Sequence, residues 1–233
     1  MKKIKIALLT LMALLFCINA SIAQDISKDW CNLGRFKEAN KELGEPKNGE
    51  DRIVFMGNSI TIGWGNHHPE FFEGKPYVNR GISGQTTPQM LLRFKQDVVN
   101  LNPKVVVICA GTNDIAENTG YASTQMIMDN ITSMAEIATG NGIKVVLASV
   151  HPAFDYRWRT GLNPNIRIPE LNAEIKKYAE TKGIVYLDYF SAMTDGNNGL
   201  RTELTSDGVH PNKDGYLIME PLLEAAIVET LKK

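Results

Sequence analysis

Four short runs of aliphatic residues decide what this chain can fold into: Arg52–Met56, Lys104–Cys109 (KVVVIC), Lys144–Val150 (KVVLASV) and Ile184–Asp188 (IVYLD). Each is apolar almost without interruption. That is the pattern of a strand covered on both faces in a parallel sheet, not of a strand with one wet face. Tyr77–Arg80 is a weaker fifth candidate. Between the runs the apolar residues take up helical spacing. Met90, Leu91, Phe94, Val98 and Leu101 make one stripe, Met126, Met134, Ile137 and Ala138 belong to a second, and Leu171, Ile175 and Tyr178 to a third. Leu217–Leu231 closes the chain as a last helix, and Asn102-Pro103 and Gly140-Asn141-Gly142 punctuate helix ends. Such alternation implies right-handed crossovers. It predicts a flavodoxin-like, three-layer α/β/α sandwich with a five-stranded parallel sheet in the order 2-1-3-4-5. Sheets of this kind bind ligands beyond the carboxyl ends of their strands.

The first residues have a different origin. Lys2, Lys3 and Lys5 precede an apolar stretch from Ile6 to Ile18, and Ser21-Ile22-Ala23 offers small residues at cleavage-site spacing. This reads as a signal peptide over residues 1–23, and so as export to a periplasmic or extracellular space. The stretch of about 13 residues is short of the roughly 20 that cross a bilayer, which disfavours an uncleaved anchor and stable membrane insertion. A lipoprotein signal at Cys17 is disfavoured by the bulk of Phe16. Residues 24–233 then form one domain, opening with an extra helix in Asp25–Leu43 whose apolar Trp30, Leu33, Phe36 and Leu43 serve packing. A net charge of −1 gives no electrostatic case for nucleic acid. Two cysteines remain, Cys31 and Cys109: too few for a disulfide framework, with a lone Cys31–Cys109 bridge left open in an oxidising compartment. No oligomeric state is legible.

Four segments at strand ends carry chemistry-bearing residues. After the first strand comes Gly57-Asn58-Ser59, with a helix following. A serine there can face a cleft while nearby backbone N–H groups address a developing negative charge, although a helix N-cap is an equally good reading of the segment alone. After the second strand, Gly81-Ile82-Ser83-Gly84 permits close backbone approach to a ligand, and no Gly-Lys-Ser/Thr follows to make it a phosphate loop. After the third, Gly111-Thr112-Asn113-Asp114 offers an amide donor, or a turn residue bonding its own backbone. Before the last helix stands Asp207-Gly208-Val209-His210-Pro211. An acid three residues before a histidine can curl back to hold the ring N–H, which leaves the other nitrogen free to take a proton from serine.

Together these four segments resemble the blocks of the SGNH/GDSL hydrolase family: GDS, a glycine loop, GxND and DxxHP. The surrounding NRGISGQTT is similar to the platelet-activating-factor acetylhydrolase-like branch and related bacterial esterases. The resemblance implies Ser59 as nucleophile, His210 as base and Asp207 as its orienting acid. It implies an oxyanion hole of Ser59 N–H, Gly84 N–H and the Asn113 side chain. It implies a serine esterase acting on short acyl esters, acetyl first, on carbohydrate. Lysophospholipase or thioesterase chemistry is the alternative, and a silent carbohydrate-binding domain on the same fold a weaker one. Asn58 departs from the family's usual aspartate, which puts in doubt whatever hydrogen bond that carboxylate makes.

Three other histidines compete with His210. Adjacent His67 and His68 point apart and read as cleft-edge or surface residues. His151 also follows a strand but has no carboxylate at orienting distance in sequence. The loop His151–Pro164 carries Phe154, Tyr156, Arg157, Trp158 and Arg159, a mixture suited to walling an acyl or leaving-group site, or simply to packing itself. No Cys/His/Glu cluster has metal spacing and no dinucleotide fingerprint occurs, so neither metal nor cofactor is expected.

Overall fold

The computed structural model describes residues 29–233; the leader read over residues 1–23 lies outside them. The elements run α1 (Lys37–Leu43), β1 (Ile53–Gly57), α2 (Ser59–His67), β2 (Tyr77–Gly81), α3 (Thr87–Asp97), β3 (Val105–Cys109), α4 (Thr112–Ile115), α5 (Thr124–Gly140), β4 (Lys144–Ala148), α6 (Pro164–Lys182), β5 (Val185–Leu187), α7 (Tyr189–Met193) and α8 (Lys213–Lys232). All five strands are parallel, in the order β2-β1-β3-β4-β5. The expected sheet is therefore the observed one, with strand ends shifted by a residue or two.

Alternation along each strand sends neighbouring side chains to opposite layers. Val54, Met56, Val106, Ile108, Val145 and Leu147 pack under α3, α5 and α6. Ile53, Phe55, Val105, Val107, Val146 and Ala148 face α2 and α8. Because both faces are covered, the central strands β1 and β3 carry no charged residue, and each fully buried aliphatic side chain contributes about 1.5–3 kcal/mol. No helix of the described residues is long and apolar enough to cross a membrane.

Two expectations about the N-terminal part need correction. Only Lys37–Leu43 of Asp25–Leu43 forms an α-helix among the described residues, and Trp30 and Leu33 are 41% and 42% exposed. The backbone before α1 is held by side chains instead. Gln89, Gln85 and Gln96 donate their amides to the carbonyls of Trp30, Cys31 and Leu33 at 2.7, 2.8 and 2.6 Å. The Asp29 carboxylate takes Gly34 N–H at 2.7 Å, and Asn32 sits at a left-handed φ of 54°. A side chain that bonds its own backbone competes with helix in this way. Phe36 does pack, but over cations: the Arg80 and Arg93 guanidinium carbons lie 4.8 and 5.9 Å from its ring centre. Cys31 and Cys109 are both free thiols.

Beneath that cover Arg93 is wholly buried. It donates to Gly57 O (3.2 Å) and Arg80 O (2.8 Å), to Gln85 Oε1 (2.6 Å) and to Asp97 Oδ2 (3.2 Å). A buried cation needs a charge partner and a full set of acceptors, and Arg93 has both. The carbonyls it gathers close the ends of β1 and β2, so one side chain from α3 fixes the platform from which the site loops leave.

Candidate active site

The register levels the strand ends: Gly57 lies opposite Gly81 on one side and Cys109 on the other. The segments carrying Ser59, Gly84 and Asn113 consequently leave the sheet along one edge. Gly57 is required there, because a β-carbon would overlap the Thr61 hydroxyl of the next turn. Asn58 is the N-cap of α2, its Oδ1 accepting Ile60 N–H at 3.0 Å, and Ser59 is the first helical residue. The amide oxygen thus supplies a cap of the kind a carboxylate would make. The N-cap reading falls on Asn58 and leaves the Ser59 hydroxyl available.

Ser59 Oγ lies 2.9 Å from His210 Nε2, and His210 Nδ1 lies 2.7 Å from Asp207 Oδ2. Asp207 Oδ1 also accepts the backbone N–H of His210 (2.8 Å) and Val209 (2.9 Å). Partial burial raises the Asp207 pKa, but the His210 backbone and ring and the Val209 N–H outweigh it and hold the carboxyl down to about 2. Thr205, unremarked in sequence, locks the turn: its hydroxyl donates to His210 O at 2.7 Å and accepts Gly208 N–H at 3.0 Å. Pro211 then leads to α8, capped by Asn212, whose Oδ1 accepts Gly215 N–H at 3.1 Å. From α8 the Tyr216 hydroxyl donates to Ile60 O (2.7 Å), tying the helix that follows His210 to the helix that begins at Ser59.

Gly84 adopts φ 76°, a left-handed conformation that glycine takes without strain. Its loop is stitched to the one after β3. Asn113 Nδ2 donates to Gln85 O at 3.0 Å, leaving its second N–H for another acceptor, and Asn118 Nδ2 donates to Gly84 O at 3.1 Å. Buried Asp114 receives Thr87 N–H at 3.0 Å on both oxygens and the Thr87 hydroxyl at 2.6 Å. Asn113, Gly84 and Ser59 therefore sit on loops fixed to one another, the condition for a pre-set group of donors.

Burial pushes the Asp114 carboxyl up to about 6 despite those Thr87 bonds. A folded-state pKa above the usual 3.8 means that the folded chain keeps a proton the unfolded chain releases. The contribution to stability is present below about pH 4 and is lost as pH rises through about 6. Asp114→Asn is expected to remove this slope, at most about 1.4 kcal/mol per pH unit, in urea unfolding followed from pH 4 to 7. A variant with the wild-type slope would refute the assignment. Asp207 acts with the opposite sign and lower, between 3.8 and about 2, so the windows separate.

His151 is brought near the site but not into the serine's hydrogen bond. It is buried, stacked on Tyr189 at 5.0 Å, with Nδ1 3.9 Å from Cys109 Sγ and no partner for Nε2. Burial, aided by His210, pushes its pKa down to about 3, so it stays neutral. His67 and His68 end α2, at the opposite end of that helix from Ser59, which removes them from the cleft edge. His68 pairs with Glu220 at 2.7 Å and His67 stacks on Tyr216.

A parallel α/β/α sandwich with its polar cluster beyond the carboxyl strand ends defines the class of protein. The profile described as the GDSL-like lipase/acylhydrolase family matches residues 55–218, and the chain belongs to that family. A solved structure of a candidate acylhydrolase from Bacteroides fragilis is 48% identical, covers 88% of this chain and 99% of its own, and superposes with a TM-score of 0.84. An acetylxylan esterase of Xylanibacter ruminicola is 27% identical over 80% of this chain and 45% of its own. A Bacillus subtilis protein named as an uncharacterized lipoprotein is 37% identical over 46% of this chain and 51% of its own. The chain thus spans about half the length of these two curated relatives.

Proposed function

We propose that the protein is an exported serine esterase that removes short acyl groups, acetyl first, from carbohydrate. The observation that carries this reading is the unbroken line Ser59 Oγ–His210 Nε2, His210 Nδ1–Asp207 Oδ2 at 2.9 and 2.7 Å. His210 takes the Ser59 proton as Oγ attacks the ester carbonyl. Ser59 N–H, Gly84 N–H and the free Asn113 N–H stabilise the oxyanion. The C–O bond to the alcohol breaks, the alcohol leaves with the proton from His210, and water repeats the steps on the acyl-enzyme to release the acid.

The acetyl preference draws on the similarity of Asn79–Thr87 to the acetylhydrolase-like branch and on the acetylxylan esterase relative. The carbohydrate assignment draws on the acetylxylan esterase relative, and export on the leader-like residues 1–23. The test is a hydrolysis screen of acetylated oligosaccharides against acyl esters of increasing chain length, with fluorophosphonate labelling of Ser59. Acetyl sugars are expected to give the highest kcat/KM. Faster cleavage of octanoate esters would overturn the acyl preference, and absence of both labelling and turnover would identify a silent domain.

A further inference from the structure

The loop between β4 and α6 brings Trp158 to the site. Its ring centre lies 6.2 Å from that of His210, and the residue is 50% exposed. Its support is firm. The indole stacks on Tyr156 at 5.2 Å and 27°. Tyr156 is fully buried, with its hydroxyl donating to Thr112 O (3.0 Å) and lying 2.9 Å from Thr112 Oγ1. Neighbouring Arg159 donates to Glu117 O (2.7 Å) and Glu117 Oε2 (2.9 Å), clamping the loop to the segment after β3. An exposed tryptophan normally loses side-chain freedom when a ligand orders it, and this bracing has already taken that freedom away.

The half of an ester that Trp158 meets follows from the chemistry of His210. The proton carried by Nε2 goes to the leaving alcohol oxygen, so the alcohol departs on the His210 side. The carbonyl oxygen points to Gly84 and Asn113 instead. Trp158 therefore neighbours the alcohol. The His210 and Asp207 side chains beside it are 39% and 36% exposed, so this side of the site is open to water. A flexible alkyl alcohol gains little from one flat plate in an open site, because it needs apolar walls around it. A pyranose suits it: the C–H face covers the indole while the hydroxyls stay hydrated.

We propose that Trp158 is the specificity determinant for the alcohol half of the substrate, stacking on the C–H face of the sugar ring whose hydroxyl carries the acyl group. The assignment rests on the esterase reading above. It makes Trp158 a contact of acylation alone, since the sugar has gone before water attacks the acetyl-enzyme.

The experiment compares wild type, Trp158→Ala and Trp158→Phe on a mono-O-acetylated methyl xyloside, on ethyl acetate and on octyl acetate. For Trp158→Ala, kcat/KM on the xyloside is expected to fall about tenfold. On ethyl acetate, which has no ring to stack, it should stay within about twofold, and Trp158→Phe should recover much of the loss on the xyloside. An equal loss on all three esters would mean that Trp158 merely supports the loop, and would overturn the proposal. So would an unchanged xyloside rate, or a larger loss on octyl acetate, which would mark an apolar alcohol site. Wild-type protein inactive on all three would sink the esterase reading, and the proposal with it.

Discussion

Ser59→Ala and His210→Ala are each expected to lower kcat on acetyl esters by on the order of a million-fold, and the double variant to lose little more. In the proposed mechanism the two side chains share one proton. Without Ser59 there is no nucleophile for His210 to activate, and without His210 the Ser59 hydroxyl stays protonated as it attacks. Their 2.9 Å contact makes them a unit, so their losses should not add. Asp207→Ala should cost less, on the order of ten-thousand-fold, because the His210 ring loses its partner but the turn keeps the Thr205 bond to His210 O. Both singles and the double would be measured after circular dichroism shows a native fold. If the double were slower than wild type by the product of the two losses, the shared role would be wrong.

The second large effect concerns Asn113. Its loss should lower kcat by about 100- to 1,000-fold, or about 3–4 kcal/mol, with little change in KM, because the charge it addresses exists only in the transition state. The structure sharpens the comparison. One Asn113 N–H already serves Gln85 O, so Asn113→Ala also releases a contact to the Gly84 loop. Gln85 keeps its other anchors, to Arg93 at 2.6 Å and Cys31 O at 2.8 Å, which should hold the loop in place. Asn58→Asp is the control. A carboxylate can still cap Ile60 N–H, and kcat should change less than about tenfold. If Asn113→Ala kept wild-type kcat while Asn58→Asp lost most of it, the donor at this strand end would be misassigned.

The sheet was legible because parallel strands buried on both faces leave an unmistakable apolar run, as at Val105–Cys109. The three segments at the ends of β1, β2 and β3 were legible because each is contiguous; Asp207–Pro211 follows no strand but precedes α8, and there Asp207 reaches His210 within a single turn. Features that join distant segments were not. Arg93 lies among the polar residues of an amphipathic helix, and nothing local announces that Gly57 O and Arg80 O will surround it. Trp158 was visible as an aromatic in a loop, yet its approach to His210 belongs to the tertiary fold. The stretch before α1 misled because Trp30 and Leu33 fit a helical stripe, while glutamines from α3 and the loop before it claim the backbone there. One local signal does mark the cap: Asn58 stands directly before a helical segment, where asparagine is among the favoured N-cap residues.

The Arg93 contacts bear on how this molecule comes apart. In many enzymes the catalytic loops open and close independently while the scaffold stays shut. Here the turn that carries Ser59 begins at a carbonyl held by a side chain that also holds the end of β2, Gln85 and Asp97. Lifting that turn alone would strip acceptors from a cation with no water to replace them. The Ser59 turn, the glycine loop and α3 are therefore expected to unfold together as one cooperative unit.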